Sequence, residues 1–239
     1  MHFSRTNSDW SEAAPGMNQT SDIRAVTFDV GSTLIEPWPS VGHVYAEVAG
    51  AHGHRNLCAE ELERRFRIAF HARDGLVNTE AEWSVIVDET FAGLLPRPPS
   101  ESFFPELYER FAQAGAWRVF EDVSPTLAAL RQRGLKLGVI SNWDGRLRPL
   151  LGSLELADRF DGIVVSWEVG ANKPEPAIFE AAVEQLGVPA HSLLHVGDSF
   201  ERDVLGARAA GLQAVQIARH AEAVRDRRIR SLLDLRALV

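Results

Sequence analysis

The sequence predicts a doubly wound parallel α/β sheet with a small helical domain inserted after the first strand. Short apolar runs rich in branched residues recur in the second half of the chain, as is typical of parallel strands buried on both faces. Helical patterns that end on glycine lie between these runs. A long helical stretch separates the first apolar run from the others. This alternation of strand and helix indicates an α/β fold.

Five strands and three helices of the sheet layer are predicted. The strands cover residues 24–29, 135–141, 162–166, 193–197 and 213–217. The helices cover residues 124–134, 174–187 and 201–211. In a doubly wound sheet, ligands bind beyond the carboxyl ends of the strands, so the residues that follow each strand are the candidates for function.

The chain divides into three parts by composition. Residues 1–21 are polar and small, and we predict a flexible tail there, with Met1 and Met17 both candidates for the natural start. Residues 22–37 and 119–239 form the predicted α/β core. Residues 38–118 form the predicted helical insertion, interrupted by prolines near residue 98.

Composition argues against several classes of partner. The net charge of the 239-residue chain is −8, which disfavours nucleic acid and anionic membrane surfaces. No apolar run is long enough to span a bilayer. The single cysteine, Cys58, cannot form an intrachain disulfide, so we expect a reducing, cytoplasmic environment. A monomer is the default expectation.

Asp29 ends the first predicted strand and is followed by the tight turn of Gly31, Ser32 and Thr33. An aspartate in this position can act as a carboxylate nucleophile or bind a hard cation such as Mg²⁺. It can also simply favour the turn, as Asp, Gly, Ser and Thr commonly do. The residues alone leave these alternatives open.

Polar residues also follow the later strands. Ser141 and Asn142 end the strand 135–141, where they can bind a phosphate-like group or cap the next helix. Lys173, one of only two lysines, precedes a helix that opens with prolines; it can neutralise an anionic ligand or be a solvated surface residue. Asp198 and Asp203 follow the strand 193–197, where they can hold Mg²⁺ or complement a helix N-terminus.

Taken together, these segments resemble the motifs of the haloacid dehalogenase-like (HAD) hydrolase superfamily. The first motif is "FDVGSTL", the second "VISN", the third "NKPEPAIF" and the fourth "HVGDSFERDVLGARAAGL". The resemblance covers residues 23–218, and the helical insertion at 38–118 is similar to the small helical cap of many members.

The resemblance implies a role for each matched residue. Asp29 would be the nucleophile, Ser141 would bind the transferring group with help from Asn142, and Lys173 would offset charge. Mg²⁺ would be held by Asp29, the carbonyl of Gly31 and Asp198, with Asp203 in support. Thr33 would orient the loop. The implied substrate is a small phosphorylated metabolite, hydrolysed through an aspartyl-phosphate intermediate.

Gly31 departs from the family pattern, because phosphatases of the family carry an acid two residues after the nucleophile. General acid–base help typically contributes about 10²–10⁴-fold to the rate, so we expect weak activity or a preference for activated leaving groups. His43 is the first candidate for a substitute acid–base, ahead of Glu36 and His71. Two alternatives stay open: a catalytically impaired relative that binds a ligand or partner, and a metal-independent dehalogenase.

Overall fold

The computed structural model describes residues 22–73, 77–219 and 228–239. Eight strands lie in these ranges: β1 (Ala25–Phe28), β2 (Ile35–Pro37), β3 (Trp117–Val119), β4 (Lys136–Ser141), β5 (Gly162–Val165), β6 (Leu193–Gly197), β7 (Gln213–Ile217) and β8 (Arg228–Ile229). Six of them form the main sheet in the order β5-β4-β1-β6-β7-β8, with every pairing parallel. The predicted doubly wound α/β fold and its five strands are confirmed.

Nine α-helices lie in the same ranges: α1 (Val41–Ala51), α2 (Ala59–His71), α3 (Glu80–Phe91), α4 (Phe104–Arg110), α5 (Val123–Gln132), α6 (Leu147–Ser153), α7 (Ser166–Val169), α8 (Pro176–Leu186) and α9 (Gly206–Ala209). A π-helical segment, Phe200–Leu205, leads directly into α9. Short 3₁₀ segments cover Pro99–Glu101, Ala114–Ala116, Ala157–Arg159, Ala190–Ser192 and Leu232–Ala237. None of the described helices is long and apolar enough to cross a membrane.

Alternate residues of the central strand β1 face opposite layers, as the two-residue period of a strand requires. Val26 and Phe28 belong to the hydrophobic cluster that includes residues of α5 and α6. Ala25 belongs to the cluster that includes residues of α8 and α9. Both faces of the sheet are therefore covered, and the open edge at the carboxyl ends of the strands is free for a site.

The helices α1–α4 lie within residues 38–118, which we call the cap segment. They share an aromatic-rich core in which Tyr45 stacks on Phe91 at a ring-centroid distance of 5.7 Å and Phe91 meets Phe103 edge-on at 5.6 Å. Helix α1 crosses α2 closely at Gly42, because a Cβ there would lie 2.0 Å from the Ala59 carbonyl oxygen. A residue without a side chain is required at this crossing.

An antiparallel pair of strands joins the cap segment to the sheet layer. Ile35 in β2 pairs with Val119 in β3, so the chain enters and leaves the cap segment side by side. Arg118 forms an ion pair with Glu36 across this pair and lies over the Trp38 ring, 3.7 Å from its centroid. These contacts fix the two connections at one place.

The sequence patterns did not predict β2, β3 or β8, which are two or three residues long. The helix predicted at 201–211 begins instead as the π-helical segment and ends at Ala209. The predicted tail, residues 1–21, lies outside the described residues.

Candidate active site

The carboxyl ends of three neighbouring strands carry the polar residues of the site. Asp29 follows β1, Ser141 ends β4, and Asp198 follows β6. Because β1 lies between β4 and β6 in a parallel sheet, these three ends meet at one edge. Lys173 reaches the same place from the loop between α7 and α8.

Asp29 is held by two donors on one carboxylate oxygen. Lys173 Nζ lies 2.7 Å from Asp29 Oδ1, and Ser141 Oγ donates to the same oxygen at 3.1 Å. Lys173 is only 2% exposed and Ser141 only 1%, so these contacts are shielded from water. The carboxylate is therefore fixed in place, with Oδ2 left for other partners.

A second carboxylate, that of Asp203, also binds the Lys173 amine. Lys173 Nζ donates to Asp203 Oδ1 at 2.6 Å and to the Ile140 carbonyl at 3.0 Å. Burial alone would lower the pKa of Lys173, but the charges of Asp203 and Asp29 outweigh it and raise that pKa. The lysine is thus a fixed cation between two carboxylates.

Asp203 is itself bound through both oxygens. Oδ1 also accepts from His195 Nε2 at 3.1 Å, and Oδ2 accepts from the Ser199 N–H at 2.9 Å. Burial opposes ionisation of Asp203, but Lys173 and His195 lower its pKa well below the ordinary value. Its contacts place it as a support for Lys173 and for the loop that carries Asp198.

His195 and Thr27 were not predicted as part of the site. Burial lowers the pKa of His195, so its ring is neutral, with Nε2–H donating to Asp203 and Nδ1 accepting from Thr27 Oγ1 at 3.0 Å. Both residues are fully buried in adjacent strands. The sequence feature that could have indicated this role is a histidine inside an otherwise apolar strand.

Asn142 lies at the cavity next to Ser141 and also bonds the backbone of Lys173. Its amide Nδ2 donates to the Lys173 carbonyl at 3.0 Å, and its Oδ1 accepts from the Lys173 N–H at 2.7 Å. The side chain is therefore bonded at both ends to the backbone of Lys173. It lines the cavity but holds the lysine loop, which leaves Ser141 as the hydroxyl donor of this segment.

Three carboxylates are close enough to share a cation. Ligand atoms of Asp29, Asp198 and Asp203 all lie within 4.8 Å of one another. Asp198 is an exposed residue, but partial desolvation of its carboxyl at the cavity, together with the negative charges of Asp29 and Asp203, raises its pKa to about 7. Since both oxygens of Asp203 are already bonded, Asp29 and Asp198 are the better placed direct ligands.

Gly31 lies at the floor of the cavity beside an aromatic ring. A Cβ at Gly31 would lie 3.7 Å from Cζ3 of Trp143, which is an ordinary van der Waals contact. The backbone of Gly31 is not in the left-handed region, in contrast to its neighbour Ser32 with φ 57°. A larger residue is therefore compatible with the backbone at this position.

The candidates for a substitute acid–base lie elsewhere. His43 is exposed on α1, where its Nδ1 contacts Ser40 Oγ at 2.9 Å. Glu36 pairs with Arg118, and His71 is exposed with Nδ1 bonded to the Arg67 carbonyl at 2.7 Å. Among the described residues, none of these three candidates lines the cavity, so His43 lies outside the lining and its acid–base role stays a prediction.

Thr33 also lies away from the cavity. Its side chain is fully buried, and its hydroxyl has no hydrogen-bond partner among the described residues. Its carbonyl accepts from Arg219 at 2.6 Å. Thr33 therefore contributes to the turn after β1 by its backbone and does not line the cavity.

A cavity of about 300 Å³ opens above the carboxylates, between the sheet edge and the cap segment. The core contributes Asp29, Ser141, Lys173 and Asp198 to its lining. The cap segment contributes mainly aromatic side chains, which the sequence patterns did not single out. The site thus combines a charged floor with an apolar roof.

The cap segment and the core are joined by hydrogen bonds around this cavity. Trp83 Nε1 donates to Asp144 Oδ2 at 3.1 Å, and Asn78 Nδ2 donates to Asn172 Oδ1 at 3.1 Å. Ser166 Oγ donates to Asn78 Oδ1 at 2.9 Å. These bonds close the cavity over the carboxylates.

Comparison with known proteins agrees with this arrangement. The chain is 36% identical over 210 residues to haloacid dehalogenase-like hydrolase domain-containing protein 3 of Mus musculus, covering 82% of each protein. It is 29% identical over 213 residues to phosphoglycolate phosphatase of Shigella boydii, covering 83% of this chain and 82% of that protein. The crystal structure of a HAD phosphatase from Thermococcus onnurineus superposes with a TM-score of 0.65 at 29% identity, covering 90% and 97% of the chains.

Crystal structures of 2-haloacid dehalogenases are also among the similar structures. The family profile described as haloacid dehalogenase-like hydrolase matches residues 23–211, most of the described chain. The protein belongs to the haloacid dehalogenase-like hydrolase family.

Proposed function

We propose that this hydrolase is a Mg²⁺-dependent phosphatase that acts on a small phosphorylated metabolite through a covalent aspartyl-phosphate intermediate on Asp29. One observation carries the proposal: the Asp29 carboxylate is fixed by Lys173 and Ser141 at the floor of a cavity, with Asp198 beside it. The phosphatase relatives support a phosphorylated substrate. We retain the cytoplasmic location as a prediction from the single cysteine.

The two hydrogen-bond donors of Asp29 orient its carboxylate for attack on phosphorus. Both Lys173 and Ser141 contact Oδ1, so we assign Oδ2 as the atom that attacks phosphorus. The fixed orientation lowers the entropic part of the barrier. The Lys173 cation and the Ser141 hydroxyl also lie where they can bind oxygens of the transferring phosphoryl group.

The residues present fit a magnesium ion. Asp29 and Asp198 would bind it, together with the backbone carbonyl of Gly31, while Asp203 holds the surrounding loop. Three carboxylates face one lysine, and this excess negative charge adds to desolvation in raising the pKa of Asp198. When bound, the ion supplies charge neutralisation for the phosphoryl oxygens.

Because Gly31 has no acidic side chain, the protein is expected to hydrolyse only some phosphate esters quickly. An alkoxide leaving group needs a proton as its bond to phosphorus breaks, and this proton transfer is worth about 10²–10⁴-fold. Gly31 cannot supply it. We therefore expect slow turnover of ordinary alkyl phosphates, while esters that expel a stable anion react without that help.

The test is phosphate release from 4-nitrophenyl phosphate with and without Mg²⁺. We expect Mg²⁺-dependent release that falls by at least about 10³-fold in Asp29→Asn. The control Asp158→Asn removes an exposed acid on the core surface and should behave as the parent. Halide release from 2-chloropropionate without metal would favour the dehalogenase, and binding of phosphate esters without turnover would favour the impaired relative.

A further inference from the structure

The roof of the cavity is built largely from partly exposed aromatic rings. On the cap side, Phe66 stacks on Phe70 at 5.5 Å, and Phe70 stacks on Trp83 at 5.9 Å with the ring planes 15° apart. All three rings line the cavity and are only partly buried. These rings pack against the core of the cap segment, and their exposed parts at a concave wall are available to a ligand.

A second group of rings extends this wall to the reactive carboxylate. Phe111 meets Trp117 edge-on at 5.8 Å, and Trp117 lies 5.3 Å from Trp143. The Trp143 ring lies beside Gly31, and Gly31 follows Asp29 by two residues in the chain. The aromatic wall therefore begins where the leaving group of a substrate bound at Asp29 would lie.

A charged pair from the core loop after β4, Asp144 and Arg146, also lines the cavity and is neutralised internally. Asp144 receives a two-pronged contact from Arg146, with Nε to Oδ1 at 2.9 Å and Nη2 to Oδ2 at 2.6 Å. Trp83 Nε1 and Tyr108 OH also donate to Asp144, at 3.1 and 3.4 Å. This pair is satisfied without a charged group on the far end of the ligand, and the other arginine of the lining, Arg202, also has an interaction within the protein.

Apart from Asp198, which is assigned to the magnesium ion, the described lining also lacks a side chain suited to protonate an alkoxide. It contains no histidine among residues 22–73, 77–219 and 228–239, and its one lysine, Lys173, is bound between two carboxylates. Burial raises the pKa of Tyr45 above its ordinary range and that of Tyr108 to about 12. A leaving group in this cavity must therefore depart as an anion that is stable by itself.

We propose that the preferred substrates are aryl phosphates, in which a flat, uncharged aromatic ring packs against Trp83 and Trp143 and leaves as a phenolate. Asp29 Oδ2 forms a bond to phosphorus while the bond from phosphorus to the aryl oxygen breaks, and the phenolate takes its proton from water. Water then attacks phosphorus, the bond from phosphorus to Asp29 Oδ2 breaks, and inorganic phosphate leaves with the protons of the water, which restores the Asp29 carboxylate. This inference rests on the proposed phosphatase function.

Binding by the aromatic wall is tested with unreactive phosphonates. Phenylphosphonate should bind the Mg²⁺-loaded protein at least about tenfold more tightly than methylphosphonate in calorimetry, a difference of about 1.4 kcal/mol that stacking on aromatic side chains can supply. Trp83→Ala should remove most of this difference. Trp83→Phe, which keeps a ring but loses the bond to Asp144, should retain most of it.

Trp167→Ala is the matched control, because this tryptophan is 58% exposed and does not line the cavity. It should leave both affinities unchanged. Equal binding of phenyl- and methylphosphonate by the parent would overturn the inference, as would an equal weakening of both ligands by Trp83→Ala. These binding results are read without turnover, so they are separate from a failure of the phosphatase proposal.

The departure of the phenolate is tested with a series of substituted phenyl phosphates. The logarithm of kcat/KM should fall steadily as the pKa of the leaving phenol rises, and cyclohexyl phosphate should be slower by at least about 10²-fold. A flat dependence on leaving-group pKa would contradict unassisted departure. Failure of every ester, including the most activated, would instead count against the proposed function.

Discussion

Trp143 lies beside Gly31, with a Cβ at Gly31 placed 3.7 Å from the Trp143 ring. The position that carries an acid in related phosphatases is therefore bordered by an indole. Because the contact is an ordinary one and the Gly31 backbone is not left-handed, a carboxylate can be introduced there without strain. The pocket can thus regain an acid while its aromatic wall stays in place.

Gly31→Asp should accelerate the hydrolysis of alkyl phosphates by about 10²-fold or more, because it restores a proton donor for the alkoxide. It should change the hydrolysis of 4-nitrophenyl phosphate much less. Steady-state kinetics on both esters measures this difference. Gly31→Ala is the control for size alone, and a similar gain in Gly31→Ala would show that proton transfer is not the cause.

Lys173→Met should lower the free energy of unfolding by about 3–5 kcal/mol, because it leaves Asp29 and Asp203 as buried carboxylates without their cation. Urea denaturation measures the loss. The chain offers one matched control in its other lysine: Lys136 is exposed, and within the described ranges its amine donates to one carbonyl, that of Leu186. Lys136→Met should change stability by less than about 1 kcal/mol.

Asp122 fixes the C-terminal segment to the start of α5. It accepts from Arg219 at 3.0 Å, from Ser231 Oγ at 2.7 Å and from the Leu232 N–H at 2.8 Å. Burial opposes its ionisation, but these donors lower its pKa below the ordinary value. Its stabilisation is therefore present above about pH 4 and is lost as the pH falls through the lower folded-state pKa.

Asp122→Asn should accordingly lower the free energy of unfolding by about 2–3 kcal/mol at pH 7. The difference from the parent should shrink as the pH falls below about 4, because the parent carboxylate is then protonated as well. Thermal unfolding across this pH range measures the difference. A gap between the two proteins that is constant with pH would show that the charge of Asp122 is not responsible.

Gly42→Ala should destabilise the cap segment by about 2 kcal/mol or more, because the new methyl group would meet the Ala59 carbonyl at 2.0 Å. Gly50 lies in the same helix with no atom within 4 Å of its notional Cβ. Gly50→Ala should therefore stabilise the protein by about 0.5–1 kcal/mol. Opposite signs in thermal unfolding confirm the close crossing, and a harmless Gly42→Ala would refute it.

The strands and the charged floor of the site were predictable because both have local signals. Buried parallel strands are short apolar runs, and Asp29, Ser141 and Asp198 each follow such a run directly. The parallel sheet then brings these ends together. The family resemblance added the roles that the residues alone left open.

The remaining features depend on contacts between distant segments. The sequence does not show that Asn142 bonds the backbone of Lys173, 31 residues away. Nor does it show that Trp83 and Trp143, from a cap helix and a core loop, line one cavity. His43 is close to Asp29 in sequence, but the turn after β1 and strand β2 lie between them. His43 is therefore placed on an exposed face of helix α1.

The central claim is that Asp29 forms an aspartyl phosphate, and acid quenching tests it most directly. Since Gly31 cannot activate the attacking water, the intermediate should break down slowly and accumulate. Mixing the Mg²⁺-loaded protein with 4-nitrophenyl phosphate should give a burst of nitrophenolate, and the quenched protein should carry phosphate on the peptide that contains Asp29. Turnover without a burst and without phosphate on that peptide, or equal labelling of Asp29→Asn, would contradict it.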